Sequence, residues 1–527
     1  MIKACKVEGL NGEVWYADDA TGGGRITKLR HWWDNLVRNG PMYGYYPNGV
    51  KTWLVVKPSL CETAFTAFAG TDVQITTQGR RHLGSALGSR EFVRSYVTQQ
   101  VDTWIGEMEK LSKIATCHPH AAYSGFIHGI RGRWLFLARV IPGIGDLLKP
   151  LESTLRNRFL PALTGRTEPG DVERELLSLP ARYGGLGIIS PVEMADREFE
   201  ASQHLTSHLV SVLLQQIPNA NTVLASYPAQ QSKSQIMKKT EQQLKVKAES
   251  LREQLPVGSQ RAMDLAQEKG ASNWLAALPL RVHGFDLSKS SFRDAICLRY
   301  GWQLQRTPPS CVCGTAFSTE HALSCPTGGL PTRRHNEIRD YLAHRLSEVC
   351  ADVSVEPELQ PLSGETFQRR STTRDDAARL DIHTVGFWDR QLGSAFFDVR
   401  IFNPFAPSNC NSALSAVYQR HERQKRNTYE ERVRTVEHAS FTPLVFSTTG
   451  GASRLTTAFL KHLASRLAEK HEEQYNITMA CLRTQIAFAL LRAAILCVRG
   501  ARSSSGHPRL GQHVAAELVV TQARMSG

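Results

Sequence analysis

Hydrophobic and polar positions along the chain fall into blocks of two different periods, which predicts a mixed α+β, multi-domain fold. Val14-Trp15-Tyr16 and Thr52-Trp53-Leu54-Val55-Val56 are short β-rich runs of strand type. Between them Ile26, Leu29, Trp32, Trp33 and Leu36 recur near a helical period, so residues 25–37 are expected to be helical. Residues 89–178 read mainly as helix, with breaks at Pro119, Pro142-Gly143, Pro161 and Pro169-Gly170. Residues 226–260 are rich in Gln, Lys, Ser and Glu, which predicts an exposed helix or linker between two halves. Residues 286–345 carry Cys and His in a loop-rich setting, strand signals return over 350–448, and helix returns over 452–500. The last residues, 501–527, read as a frayed tail containing Ser503-Ser504-Ser505-Gly506. No internal repeat is visible.

Two runs in the strand-rich stretch alternate with period two. In Arg379-Leu380-Asp381-Ile382-His383, Leu380 and Ile382 share one face and Asp381 takes the other. In Phe396-Phe397-Asp398-Val399-Arg400-Ile401-Phe402, Phe397, Val399 and Ile401 share a face, and Asp398 and Arg400 share the opposite one. A hairpin turn centred on Asp389-Arg390 sets Asp381 directly across from Asp398. Like charges directly opposite are destabilising. A divalent cation removes that penalty, and carboxylate oxygens are what Mg²⁺ prefers; pairing with Arg379, Arg400 or other surface bases removes it too. Downstream, residues 413–433 read as a helix with Tyr418, Glu422, Lys425 and Tyr429 on one face. That face is either a solvated side with a snorkelling lysine, or one that aims Lys425 at a phosphate beside the metal.

Two further groups carry candidate chemistry. Tyr16-Ala17-Asp18-Asp19 follows a short strand, and adjacent carboxylates there repel one another unless a cation sits between them. A polymerase uses such a pair to hold two Mg²⁺ ions; a solvated turn leading into a helix is the plainer reading. Later, Cys311-Val312-Cys313 is followed by His321 and Cys325, the last two one helical turn apart. Three thiolates and an imidazole suit tetrahedral Zn²⁺, and Ser318 or Thr319 is placed to cap the turn. Three buried free cysteines near a chance histidine is the alternative, although Pro308-Pro309 and Gly314 mark a loop. Cys297 and His335 are the nearest substitutes as ligands.

Composition narrows the partner. At 527 residues the chain is long enough for more than one core, and 41% hydrophobic with 21% charged residues excludes a disordered chain, a collagen or a coiled-coil rod. Lys plus Arg outnumber Asp plus Glu by 63 to 49, a net charge of +14 that favours a polyanionic partner. Residues 486–498 are apolar but carry Arg492 and fall short of the ~20 residues of a membrane span. The first residues lack the apolar core of a signal peptide. Eleven scattered cysteines, three of them within 311–325, point to a reducing compartment with one local metal site.

Several of these motifs together resemble a known family. Tyr16-Ala17-Asp18-Asp19 resembles the catalytic motif of reverse transcriptases, and Asn48-Gly49-Val50-Lys51-Thr52 the next motif, whose lysine lies near the nucleotide phosphates. Arg81-His82-Leu83-Gly84 resembles the primer-grip hairpin. Leu179-Pro180 with Gly184-Gly185-Leu186-Gly187-Ile188 resembles the thumb of non-LTR retrotransposon enzymes. The resemblance implies catalytic roles for Asp18 and Asp19, and nucleotide or nucleic-acid contacts for Lys51 and Arg81. It also calls for a third aspartate on an earlier palm strand. Only fifteen residues precede Tyr16, so a truncated palm is expected, with a central sheet short of strands and no DNA synthesis by this chain alone.

The C-terminal half is similar to the restriction-like endonuclease of site-specific non-LTR retrotransposons. There a Cys-Cys-His-Cys cluster precedes an Arg-His-Asn signature and two acids, with the lysine moved onto the following helix and a tyrosine beyond it. Here Cys311, Cys313, His321 and Cys325 precede Arg334-His335-Asn336, Asp381, Asp398, Lys425 and Tyr429. Arg400 stands where restriction-like nucleases carry the hairpin lysine, and Leu380 where a proline is usual. The resemblance implies structural Zn²⁺ on the first four residues and Mg²⁺ at the acids. It implies catalysis by Asp381, Asp398, Lys425 and Tyr429, with nucleic acid met by Arg334, His335 and Arg400. Glu337 matches a helical acid of resolvase-like folds.

The domains expected are a partial palm (1–90), a helical thumb (91–225), a charged connector (226–285), a zinc module (286–335), a nuclease (336–450), and C-terminal helices with a frayed tail (451–527). The partners implied are target DNA and the element's RNA, with no membrane and no small molecule beyond nucleotides, in the nucleus. Two other classes fit the same residues: a non-catalytic nucleic-acid-binding relic, and a metal-dependent host nuclease that keeps only the C-terminal half.

Overall fold

The computed structural model describes residues 1–16, 18–215, 229–360, 379–388 and 393–500. The turn at Asp389-Arg390 and the tail at 501–527 lie outside the described residues. The protein is mixed α+β and divides into two compact units. The first holds residues 1–113, 125–160 and 189–246; the second holds 114–124, 161–188 and 247–527. Residues 114–124 and 161–188, expected within a thumb, thus go with the C-terminal unit.

In the first unit, β1 (Gly12–Tyr16) and β2 (Asp19–Gly23) form an antiparallel hairpin. The helix α1 (Ile26–Asn39) follows, with Trp32, Trp33 and Leu36 buried. Neighbouring tryptophans on a helix point about 100° apart, and here they enter different clusters. Trp32 packs with Cys5, Leu10 and Leu36, and Trp33 with Leu54, Ala64, Phe68 and Val73. Strands β3 (Trp53–Val55) and β4 (Gln74–Thr76) pair in parallel. Strands β5 (Gly79–His82) and β6 (Ser85–Gly88) form a second hairpin. Its turn residues Leu83 and Gly84 both have positive φ, 44° and 79°, as a two-residue turn matched to strand twist requires. The described residues of 1–90 therefore form three separate two-stranded sheets, not one central sheet. Helices α2 (Arg90–Cys117) and α3 (Pro191–Gln215) belong largely to this unit, while Pro119 opens a new helix, where its missing N–H is harmless.

Part of the expected linker is helix α4 (Ala229–Gln254), largely exposed up to Val246. Beyond it, Met263, Leu265 and Trp274 are buried in the second unit, so residues 257–276 are packed rather than connecting. The stretch expected to be loop-rich holds three helices, α5 (Lys289–Tyr300), α6 (Thr319–Ser324) and α7 (Leu330–Ser347).

A four-stranded sheet organises the rest. Its strands are β7 (Asp352–Val355), β8 (Ile382–Val385), β9 (Ser394–Phe402) and β10 (Ser440–Ser447), in the order β10-β9-β8-β7. β7, β8 and β9 run antiparallel, and β10 lies parallel to β9 after the crossover helix α8 (Leu414–Thr435). Pro443 sits on β10, an edge strand, where a missing N–H breaks no ladder. Helices α7, α9 (Arg454–Lys470) and α10 (Tyr475–Arg499) cover one face, burying Ile382, Phe397, Val399, Leu444 and Phe446. Helix α8 covers the other, where Tyr429 and Val433 meet Phe396 and Phe441. Both faces are covered, so Phe396 and Phe397 are buried in succession. Helix α10 is long and apolar enough to cross a membrane, but 72% of its most apolar window is buried in the protein.

Candidate functional site

Two groups of side chains in the second unit carry chemistry. The first is built on a tight loop and a capped helix. Cys311 donates its N–H to Thr315 O (2.8 Å), and Gly314 returns one to Cys311 O (2.9 Å) with φ of +86°, a backbone state suited to glycine. This turn brings Cys313 back beside Cys311. Ser318 Oγ then accepts from the His321 N–H (3.1 Å), which starts α6 and points His321 and Cys325 the same way.

The Sγ atoms of Cys311 and Cys325 are 3.8 Å apart, and Cys313 Sγ is 3.2 Å from His321 Nε2. All four donor atoms lie within 4.8 Å of one another. A tetrahedral ion with Zn–S of about 2.3 Å places sulfurs about 3.8 Å apart. The cluster could thus bind a metal such as zinc. Hydrogen bonding to Thr315 brings the Cys313 thiol down to about 6, toward the thiolate a metal needs, while burial pushes Cys325 up. Cys297 is not part of this group: it is buried with Leu323, Leu330 and Cys497, and burial raises its thiol to about 11. The purified chain is expected to carry about one zinc, and Cys313→Ser to release it and loosen residues 311–325, because metal binding in a small loop is folding energy. Metal analysis finding no zinc in folded wild-type protein would contradict this.

The second group lies where β8 and β9 meet. The ladder pairs Ile382 with Phe397, His383 with Phe396, Thr384 with Ala395 and Val385 with Ser394. Continued one step, this register sets Asp381 across from Asp398, the pairing expected from the turn position, although Leu380, just before β8, packs on the α8 side rather than sharing the face of Ile382. Asp381 is held from both ends: its carbonyl accepts from Glu356 N–H (3.0 Å), and its Oδ2 accepts from Val399 N–H (2.6 Å). Asp398 is 5% exposed, and its Oδ2 pairs with Lys425 Nζ at 2.7 Å. Burial, reinforced by Asp381 and opposed by Lys425 and His335, raises the Asp398 carboxyl to about 6.

The helix face bearing Lys425 is not a solvated side. Tyr418 packs with Phe402, Val417 and Val445, Tyr429 lies in the α8 core, and Glu422 accepts from Leu455 N–H (3.3 Å). Lys425 Nζ sits over the Tyr429 ring, 5.5 Å from its centroid. Tyr429 therefore lines the lysine and packs the core.

The Arg-His-Asn signature divides. Arg334 is buried and donates to Leu323 O (3.0 Å), so it ties α6 to α7 and presents no surface to nucleic acid. His335 turns into the acid cluster, with Nε2 3.0 Å from Asp381 Oδ2. Burial alone would lower the His335 pKa, but the hydrogen bond and charge of Asp381, helped by Asn336 and Asp398, together raise it. Glu337 pairs with Arg333 (3.3 Å) instead. Arg400 is exposed on β9. Asn403, just past β9, donates to Glu320 O and Ser324 Oγ (2.9 Å each), so the Cys/His module is docked to the acid-bearing strand.

In the first unit, Asp18 and Asp19 are exposed at the tip of β1–β2. Lys51 closes a short turn capped by Asn48, and Arg81 is exposed on β5. Among the described residues, Asp18 and Asp19 belong to no group of three metal-binding side chains. The group they bear on is Tyr45, whose phenol is raised by burial and then by both carboxylates.

Sequence reasoning missed several polar groups inside the fold, a half-buried glutamate among them. Glu268 is raised to about 7 by burial, beside Tyr418 and Ser447. Its partners come from segments some 150 and 180 residues away, with no local signal to join them. No protein-family model matches the chain, and no curated protein matches it at significant similarity.

Proposed function

We propose that the second unit is a Mg²⁺-dependent DNA-nicking endonuclease of the restriction-like kind, within a chain derived from a non-LTR retrotransposon. The observation that carries this reading is the convergence of Asp381 just before β8, Asp398 on β9, Lys425 on α8 and His335 on α7 onto one spot. Two carboxylates meet there with one lysine between the sheet and α8, a charge balance suited to a further cation. Asp381 and Asp398 would hold Mg²⁺, which polarises the scissile phosphate and lowers the pKa of an attacking water.

The chain's own residues do the rest. Lys425 moves its ammonium from Asp398 to the phosphate and stabilises charge as it builds. Arg400, two residues beyond Asp398 on β9, holds the nucleic-acid backbone, with salt-dependent affinity. The Cys/His module holds zinc and keeps the end of β9 in place. A non-catalytic binding relic is the rival, favoured by the 2.7 Å pairing of Lys425 with Asp398, which could be purely structural. Incubating supercoiled plasmid with the chain, with and without Mg²⁺, separates the two.

The first unit on this reading is a reverse-transcriptase remnant. Two exposed aspartates on a two-stranded hairpin do not hold two metals in line. No templated extension of a primer by the purified chain is expected; extension would overturn this part.

A further inference from the structure

We infer that His335 is a positioning residue for the acid pair, fixing Asp381 so that one carboxylate oxygen is left for the cation. The inference rests on the nuclease reading. His335 Nε2 lies 3.0 Å from Asp381 Oδ2 and 3.0 Å from Val399 O. Only an N–H serves two acceptors, so Nε2 carries the proton. Val399 follows Asp398 directly. One imidazole thus ties the first acid to the strand that holds the second.

The hydrogen bonds to Asp381 share a direction. Val399 N–H and His335 Nε2 both end on Oδ2. A carboxylate held by two donors at one oxygen cannot spin, so its other oxygen keeps a fixed direction. On the far side of the ring, Nδ1 faces the Asn336 side-chain amide at 3.2 Å, which holds the imidazole whichever end of the amide meets it. His335 is also largely shielded, with a side chain 29% exposed, against 13% for Asp381. Groups that orient metal ligands in this way typically change metal affinity by about 10–100-fold when removed.

The test uses the full zinc-loaded chain, with Mn²⁺ as the probe and the loss of its free-ion paramagnetic resonance signal as the measure of binding. His335→Ala is expected to weaken Mn²⁺ binding by about 10–100-fold. His335→Gln keeps an N–H near the Nε2 position and should bind as wild type does; His335→Asn is too short and should behave as alanine. If the alanine variant fails to fold, the glutamine and asparagine variants decide. Equal Mn²⁺ affinity for those two, while Asp398→Ala binds none, would overturn the positioning role and leave the nuclease reading standing. Equal Mn²⁺ binding by wild type and Asp398→Ala would remove the nuclease reading, and this inference with it.

Discussion

Asp398→Ala is expected to reduce Mg²⁺-dependent nicking to background while leaving DNA binding intact or slightly tighter. Asp398 is the most enclosed member of the acid cluster, so no neighbouring carboxylate replaces it at the same place. Binding survives because removing a carboxylate lessens repulsion of the phosphate backbone. Alanine also strands the partly buried Lys425 ammonium, so Asp398→Asn, which keeps the shape, should accompany it. Asp381→Ala should be equally inactive. It also frees the Val399 N–H, at about 1–3 kcal/mol for a buried donor left unmade. A melting curve beside the nicking assay separates that loss of stability from loss of chemistry.

Lys425→Ala is expected to slow nicking by roughly one to three orders of magnitude, the scale of one lost transition-state donor. Arg400→Ala should cost less, because Arg400 is exposed on β9 while Lys425 is in contact with Asp398. The lysine variant carries a second signature. Lys425 opposes the rise of the Asp398 pKa, so its loss lets that pKa climb further above about 6. The ionised carboxylate is the metal-holding form, so the acid limb of the rate profile should move to higher pH in Lys425→Ala. An inactive Arg400→Ala beside a normal Lys425→Ala would mean that the hairpin itself supplies the cation that stabilises the phosphate.

Local signals in the sequence reached some of this site and stopped at others. Period-two alternation fixes which residues of β9 face which way, and the turn position fixes the β8–β9 register, so the facing of Asp381 and Asp398 was legible. The Ser318 cap and the gathering of Cys311, Cys313, His321 and Cys325 into one cluster follow from spacing over fifteen residues. What was not legible depends on packing between distant segments. His335 and Arg334 are neighbours in sequence, yet the docking of α7 sends one to Asp381 and the other to Leu323. The polar-looking face of α8 packs inward because β9 and β10 offer Phe402 and Val445 to it. The strands of residues 1–90 likewise form three small sheets where the sequence suggests parts of one, since strand propensity says nothing of which strands pair.

The most direct measurement is conversion of supercoiled plasmid to open circle by the purified, zinc-loaded chain, followed over a Mg²⁺ titration. The account predicts nicking that rises with Mg²⁺, does not occur without added Mg²⁺, and is absent in an Asp381→Ala/Asp398→Ala double variant that still binds the plasmid. Nicking at the same rate by the double variant, or none by wild type at any Mg²⁺ concentration, would contradict it.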